Sequence, residues 1–214
     1  MFDHRYDAAG LVDVLSNAQP QWVSLQTAET GCTPVLRTVP RADARAYREV
    51  ELPNPFQAPL LAGPVDVFVE GALLRTSDLA AVDRGGLMKF GLGLEERVRV
   101  ARNARVEEST RGLLGGSTHL VHHVHIEVTS NLGHPIRLTV LDRVPVTDDK
   151  EVEVKLLGCE PQAARYEQLD VGHPVRGGLR WVLELPHGQK RDLRFSYSVE
   201  LSSKSELIGG NRRE

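Results

Sequence analysis

Four of the eight histidines lie in one stretch, residues 119–127, which reads HLVHHVHIE. On a β-strand alternate side chains point to the same face, so His123, His125 and Glu127 share a face, with His119 further along it. Side chains two positions apart on a strand lie roughly 7 Å from each other, so two imidazoles that share a metal ion would need a third ligand from a neighbouring strand. One hypothesis is therefore a metal-dependent hydrolase that uses His123, His125 and Glu127.

The same stretch also fits an ordinary strand with one polar face. Val124, Ile126 and Val128 alternate with the polar residues and would be buried beneath them. His122 would then lie on the inner face, near the start of the strand. An HxHxE run without a second ligand-rich segment is a weak metal signature. We therefore expect no catalytic residue, no cofactor and no metal, and keep the hydrolase as an alternative.

Sequence motifs for nucleotide binding or nucleophilic catalysis do not occur. There is no GxSxG elbow and no Walker loop, and Gly91-Leu92-Gly93 is followed by Leu-Glu-Glu, so its glycines indicate bends. Asp148-Asp149 precedes a regular strand pattern, which is typical of a turn. The sequence therefore predicts a protein that is not an enzyme.

Aromatic residues make up only 5% of the chain. We expect both tryptophans, Trp22 and Trp181, in the core. An exposed aromatic pair would instead favour a carbohydrate-binding β-sandwich, which is the second alternative.

Charge and cysteine content exclude several classes of protein. The formal net charge is −3 and the basic residues are spread along the chain, which argues against nucleic-acid binding. Cys32 and Cys159 are isolated from each other and from any metal-ligand spacing, so neither a disulfide framework nor a zinc knuckle is indicated. No stretch approaches the ~20 apolar residues of a membrane span. Acidic residues interrupt residues 1–30, so no signal peptide is evident. That absence favours a cytoplasmic location, and the compartment itself stays open.

Alternating apolar and polar residues recur through most of the sequence. Period-two patterns predict strands about every 10 residues, and no helix of 10–15 residues separates them. One apolar and one solvated face is typical of antiparallel sheets. The sequence thus predicts an all-β, antiparallel β-sandwich-like fold. Its last two strands, 179–185 and 192–200, are expected to form a hairpin through residues 186–191.

The domain organisation can be predicted from segments that lack a strand pattern or are rich in glycine. Residues 1–20 are the least strand-like and would form a leader or short helix. Residues 21–201 form the β domain, whose two packed halves, about 21–110 and 118–201, would join near residues 111–117, RGLLGGS. Residues 202–214 are polar and are expected to form a flexible tail.

A predicted hairpin in residues 59–79, PLLAGPVDVFVEGALLRTSDL, turns at Glu70-Gly71. Three other segments follow it in a fixed order: KFGLGLEERVRVAR, HIEVTSNLGHPIRLTVLDRVPV and LRWVLELPHGQKRDLRFSYSVE. Together they resemble the domain of unknown function that forms the C-terminal part of mucoidy-inhibitor A-like proteins, over roughly residues 21–201. The family's proteins also carry a coiled coil and a second β domain upstream.

The resemblance implies a β fold and gives little about function, because the biochemical role of these proteins is unsettled. We expect a non-enzymatic structural or protein-interaction module, with an unknown protein partner.

Overall fold

The computed structural model describes residues 5–111, 117–169 and 173–201, which contain eleven β-strands and no α-helix. This confirms the all-β prediction. In chain order the strands are β1 (Thr33–Val39), β2 (Asp43–Pro53), β3 (Gly63–Val69), β4 (Ala72–Leu79), β5 (Leu87–Arg111), β6 (Ser117–Ser130), β7 (Ile136–Arg143), β8 (Val152–Glu160), β9 (Ala164–Tyr166), β10 (Gly178–Leu185) and β11 (Lys190–Leu201).

Nine strands form one sheet in the order β8-β11-β6-β5-β2-β1-β7-β10-β9, and β3 pairs only with β4. The sheet is mixed, because β1 runs parallel to β7 with Leu36 opposite Leu138. A parallel pair needs a long crossover, and the chain between these two strands is long enough to supply it. The sandwich-like prediction is confirmed, but the strands are not all antiparallel.

The chain forms two compact units, of which the larger contains Val35–Glu49 and the residues from Gly93 onward. Its core is built from the apolar faces of several strands, because their period-two patterns place every second side chain inward. Trp181 on β10 and Phe195 on β11 meet there, with ring centroids 5.9 Å apart. The residues of this unit that are less than 2% exposed are Ile126, Val128, Leu138, Val140, Leu185, Leu193, Phe195, Thr38, Ser130 and Ala46.

The last two strands do not form the predicted hairpin. β10 pairs with β7 and β9, whereas β11 pairs with β6 and β8. The link between them is fixed to the end of β6, since the Gly188 amide donates to the Ser130 carbonyl and the Ser130 amide donates to the Gln189 carbonyl. The link therefore carries the chain to another part of the sheet. Phe195 and Tyr197 of β11 are nevertheless buried, as the alternation in this strand predicts.

The smaller unit contains Met1–Pro34 and Val50–Leu92. Its β3–β4 hairpin confirms the predicted turn: Glu70 and Gly71 have φ angles of 51° and 80°, as a two-residue hairpin turn requires. The buried Asn54 side chain holds the neighbouring loops together by donating to the carbonyls of Ala58 and Asp83 at 3.0 and 3.2 Å.

Residues 5–32 contain neither a helix nor a strand, so the described part of the predicted leader or short helix, residues 5–20, is not helical. Leu11 and Leu15, the apolar side of that helix, are exposed. A short helix without tertiary packing is marginal in water, which explains its absence here. Trp22 is 96% exposed, so its predicted core position is wrong, while that of Trp181 is confirmed.

The two compact units do not follow the predicted halves 21–110 and 118–201. Most of the expected junction, residues 112–116, lies outside the described residues, as do residues 1–4 and the predicted tail 202–214. The strands on either side of the junction, β5 and β6, pair with each other as far as Arg111 opposite Ser117.

Candidate functional site

The histidine stretch forms most of β6, and its alternation is as predicted. Val124, Ile126 and Val128 are buried, and His122 lies on the same inner face with 7% of its surface exposed. His119, His123, His125 and Glu127 occupy the opposite, outer face of the strand, which we call the histidine face.

The residues of the histidine face do not converge on a common point. His125 Nε2 lies 2.5 Å from Asp192 Oδ1, and Glu127 forms an ion pair with Lys190. The hydrogen bond from His125 lowers the pKa of Asp192, and that with Glu127 raises the pKa of Lys190. Within the described ranges, no three His, Cys, Asp or Glu side chains are grouped to hold a metal ion.

His123 has two neighbours that the sequence did not reveal. Its Nδ1 lies 2.9 Å from Ser196 Oγ on β11, and its Nε2 lies 3.8 Å from Glu107 Oε2 on β5. A serine, an imidazole and a carboxylate are the groups of a hydrolase triad. Here they lie on strands that are paired on both sides, so the backbone amides around them donate largely to neighbouring strands rather than to an oxyanion hole, although the β8–β11 register shifts between Ser196 and Tyr197. This row therefore gives no support for acyl transfer.

The partners of the histidine face could not be read from spacing. Asp192, Ser196 and Lys190 are more than sixty positions away in the chain, and they become neighbours only through the β6–β11 register, in which His123 lies opposite Ser196. The alternation of Phe195 with Arg194 and Ser196 indicates an outer polar face for β11. It does not show which strand lies beside that face.

A second polar group lies inside the larger unit. Arg102 Nε on β5 donates to Asp142 Oδ2 on β7 at 2.8 Å, and the Asp142 side chain is fully buried. His122 stacks on Tyr197, with ring centroids 4.5 Å apart, and its buried Nδ1 has no hydrogen-bond partner among the described protein atoms. Burial lowers the pKa of His122 and raises that of Tyr197. These residues form a polar region within a largely apolar core, in which Thr38 and Ser130 are also buried.

In the smaller unit, the end of the β3–β4 hairpin exposes large apolar side chains. Phe68 and Leu73 lie opposite each other and are 60% and 56% exposed. The register shifts between Val67 and Phe68, which makes Leu74 an extra, bulged residue, and it is also exposed. We call residues 68–75 the hairpin tip. A contiguous exposed apolar patch of this kind is typical of a contact surface.

The sequence of this β domain matches a known protein family. The family model described as Domain of unknown function (DUF4139) matches residues 2–203, nearly the whole chain. The chain belongs to this family. The resemblance to a domain of unknown function is thereby confirmed, and the link to mucoidy-inhibitor A-like proteins stays a prediction.

One curated relative is Protein F37C4.5 of Caenorhabditis elegans, which is 22% identical over 170 residues. The match covers 76% of this chain and 30% of the worm protein, so this chain spans less than a third of that relative. No solved structure matches the chain. No helix in the described part of the chain has the length and hydropathy needed to span a membrane.

Proposed function

We propose that this domain is a non-enzymatic protein-interaction module that contacts its partner through the hairpin tip. The observation that carries the proposal is the pair Phe68 and Leu73, which expose more than half of their surfaces side by side at the end of a two-stranded hairpin. A two-stranded hairpin is only marginally stable by itself in water, so burial of its apolar end against a partner would stabilise it.

The partner's chemistry follows from the charges on the hairpin. Asp66, Glu70 and Asp78 outnumber the single basic residue Arg75 on β3, β4 and their turn. The complementary surface is therefore an apolar patch of a protein, bordered by Lys or Arg side chains. Bulky aromatic and aliphatic side chains at the centre of such a contact supply most of its binding energy.

The two alternatives rest on weaker observations. The metal-dependent hydrolase needs His123, His125 and Glu127 to bind one metal ion, but His125 and Glu127 are each paired with a residue of β11. The carbohydrate-binding sandwich needs an exposed aromatic pair. Of the two tryptophans Trp22 is exposed and Trp181 is buried in the core, so the tryptophans do not form such a pair.

The test is affinity capture from the cells of origin, followed by reconstitution with the recovered protein. We compare the wild type with the double variant Phe68→Ser/Leu73→Ser and with a matched control, Val182→Ser, which removes an apolar side chain that is 44% exposed on β10. The purified partner should bind the wild type and Val182→Ser equally, and the double variant at least ten-fold more weakly, since a central aromatic contact is worth about 2 kcal/mol or more.

Two outcomes would refute the proposal. Equal binding of the partner to all three proteins would mean that the hairpin tip is not the contact surface. A concentration-dependent dimer in analytical ultracentrifugation that disappears in the double variant would assign the tip to a second copy of this chain.

A further inference from the structure

A cavity of about 380 Å³ opens on the larger unit beside the turn from β1 to β2 and the end of β7. Arg41 and Arg143 contribute its basic lining. The apolar lining comes from Val39, Leu141 and Val175, together with the aromatic residue Tyr166 of β9. The cavity is separate from both the histidine face and the hairpin tip, and its volume suits a small ligand.

Neither guanidinium in this cavity has a carboxylate partner among the described residues. Arg41 Nη1 donates to the main-chain oxygen of Arg143 at 3.4 Å, a neutral acceptor that does not cancel its positive charge. The nearest acid in the lining, Asp142, is fully buried and already accepts hydrogen bonds from Arg102 and from the Arg143 amide, at 2.8 and 2.7 Å. Among the described residues that line the cavity, the two arginines therefore give a net positive charge.

The positive charge of Arg41 also affects the pKa of a neighbouring side chain, His122. After burial, the positive charge of Arg41 is the largest influence that lowers the pKa of His122 in the core. An anion bound at Arg41 would offset this effect, so the titration of His122 can report occupancy of the cavity.

Two glycines allow close backbone packing beside the cavity, and one of them, Gly178, lines it. Gly178 lies where a Cβ atom would come 2.1 Å from the Tyr166 carbonyl oxygen, and Gly177, with φ of 72°, would place one 2.5 Å from the Val144 oxygen. Only glycine permits β9 and β10 to approach this closely. Gly178 thus holds β9 close to β10 at the wall of the cavity that Tyr166 forms.

We propose that this cavity binds an organic carboxylate with a short apolar chain, its carboxylate held by Arg41 and Arg143 and its chain by Val39, Leu141 and Val175. Guanidinium groups match carboxylates in planar geometry and hydrogen-bond donors. The apolar lining favours a ligand with a hydrocarbon body over an inorganic anion.

The test uses hexanoate as the probe, with hexanol and inorganic phosphate as comparisons, in calorimetric titrations of the full chain. Hexanoate should bind at least ten-fold more tightly than either comparison. Arg41→Gln and Arg143→Gln should each weaken hexanoate binding about ten-fold, as expected for the loss of a charge-assisted hydrogen bond. Arg99→Gln, at an exposed position of β5, should bind as the wild type does. In parallel NMR titrations, hexanoate should raise the pKa of His122.

Three results would overturn the proposal. Equal binding of hexanol and hexanoate would remove the role of the arginines, and stronger binding of phosphate would make the site a phosphate site. Unchanged hexanoate affinity in both arginine variants would place the probe elsewhere. Val175→Asp is an independent test in case the arginine variants misfold. It adds a negative charge to the cavity while both arginines remain, and it should abolish hexanoate binding.

Discussion

Trp181 and Phe195 are in ring contact at 5.9 Å although five strands lie between β10 and β11 in the sheet order. Such a contact is possible only if the sheet curves so that distant strands face each other across one core. Trp181 is also anchored by its indole Nε1, which donates to the Pro161 carbonyl at 2.8 Å. The pair therefore packs two strands together across the core although they are not hydrogen-bonded neighbours in the sheet.

Phe195→Ala should lower the free energy of unfolding by about 3–5 kcal/mol, because it empties a site that is 1% exposed and lined by Trp181 and Tyr197. Arg194→Ala, the neighbouring change on the exposed face of β11, should alter it by less than about 0.5 kcal/mol. Urea unfolding monitored by tryptophan fluorescence measures both. Equal effects would show that β11 is placed in the wrong register.

The buried pair of Arg102 and Asp142 should respond strongly to single substitutions and weakly to a double one. Asp142→Leu leaves a buried guanidinium without its partner and should cost about 3–5 kcal/mol of unfolding free energy. Arg102→Met/Asp142→Leu removes both charges and should recover most of that loss. The matched control is the exposed pair Arg105 and Glu107, where the same double-mutant cycle should give a coupling near zero. A buried pair with no coupling would contradict the structure.

His122 should make the protein less stable in acid. Its pKa in the folded state is lowered, so below the ordinary value of about 6.5 the unfolded chain binds more protons than the folded chain. The free energy of unfolding therefore falls as pH drops through this range, and no such effect exists at higher pH, where His122 is neutral in both states. The positive charges of Arg41 and His123 act in the same direction as burial.

Chemical denaturation at pH 7.5 and 5.5 tests this dependence. His122→Phe keeps a ring against Tyr197 but cannot titrate, so its stability should fall less between the two pH values than that of the wild type. His134→Gln, an exposed histidine, should behave as the wild type. A His122→Phe protein with the full acid sensitivity would refute the assignment.

Gly178→Ala should destabilise the β9–β10 edge, because the new methyl group would overlap the Tyr166 carbonyl oxygen. We expect a loss of about 1–3 kcal/mol in unfolding free energy, the usual range for overpacking. Gly158→Ala on β8 is the control, since its Cβ would meet no atom within 4 Å. A Gly178→Ala protein as stable as the control would mean that β9 does not pack there.

The histidine face provides a test between the module and the hydrolase. If it only forms surface pairs, the double variant His123→Gln/His125→Gln should keep the wild-type metal content and lose little stability. Metal analysis of protein purified without chelators measures the first, and urea unfolding the second. One zinc per chain that disappears in the double variant would support the hydrolase and contradict the module.

The local structure of this chain was readable from its alternation. Ile136, Leu138 and Val140 predicted an inward face for β7, and all three are buried. The turn at Glu70-Gly71 was equally readable, because Gly71 between two alternating segments accepts the positive φ angle that a hairpin turn needs, although the positive φ of Glu70 was not indicated. Both signals depend only on neighbouring residues.

Pairing between distant strands was not readable. Nothing in residues 179–200 distinguishes a hairpin from two strands that join different neighbours, since both arrangements bury Trp181 and Phe195. The same limit applied to the sites: alternation placed His123 on the outer face, but only the register brought Ser196 beside it. Arg41 and Arg143 lie about a hundred positions apart in the chain, so the sequence alone does not predict that they line the same cavity.

The β1–β7 pair has a consequence for how the protein is made. Leu36 and Leu138 are 102 positions apart in the chain, so during synthesis on the ribosome β1 must wait for β7 to emerge before the two can join. Over that interval one edge of β1 remains open to other extended chains. We therefore expect a slow folding phase that reflects this long-range closure, and a nascent chain whose yield in cells depends on chaperones that shield β1 until then.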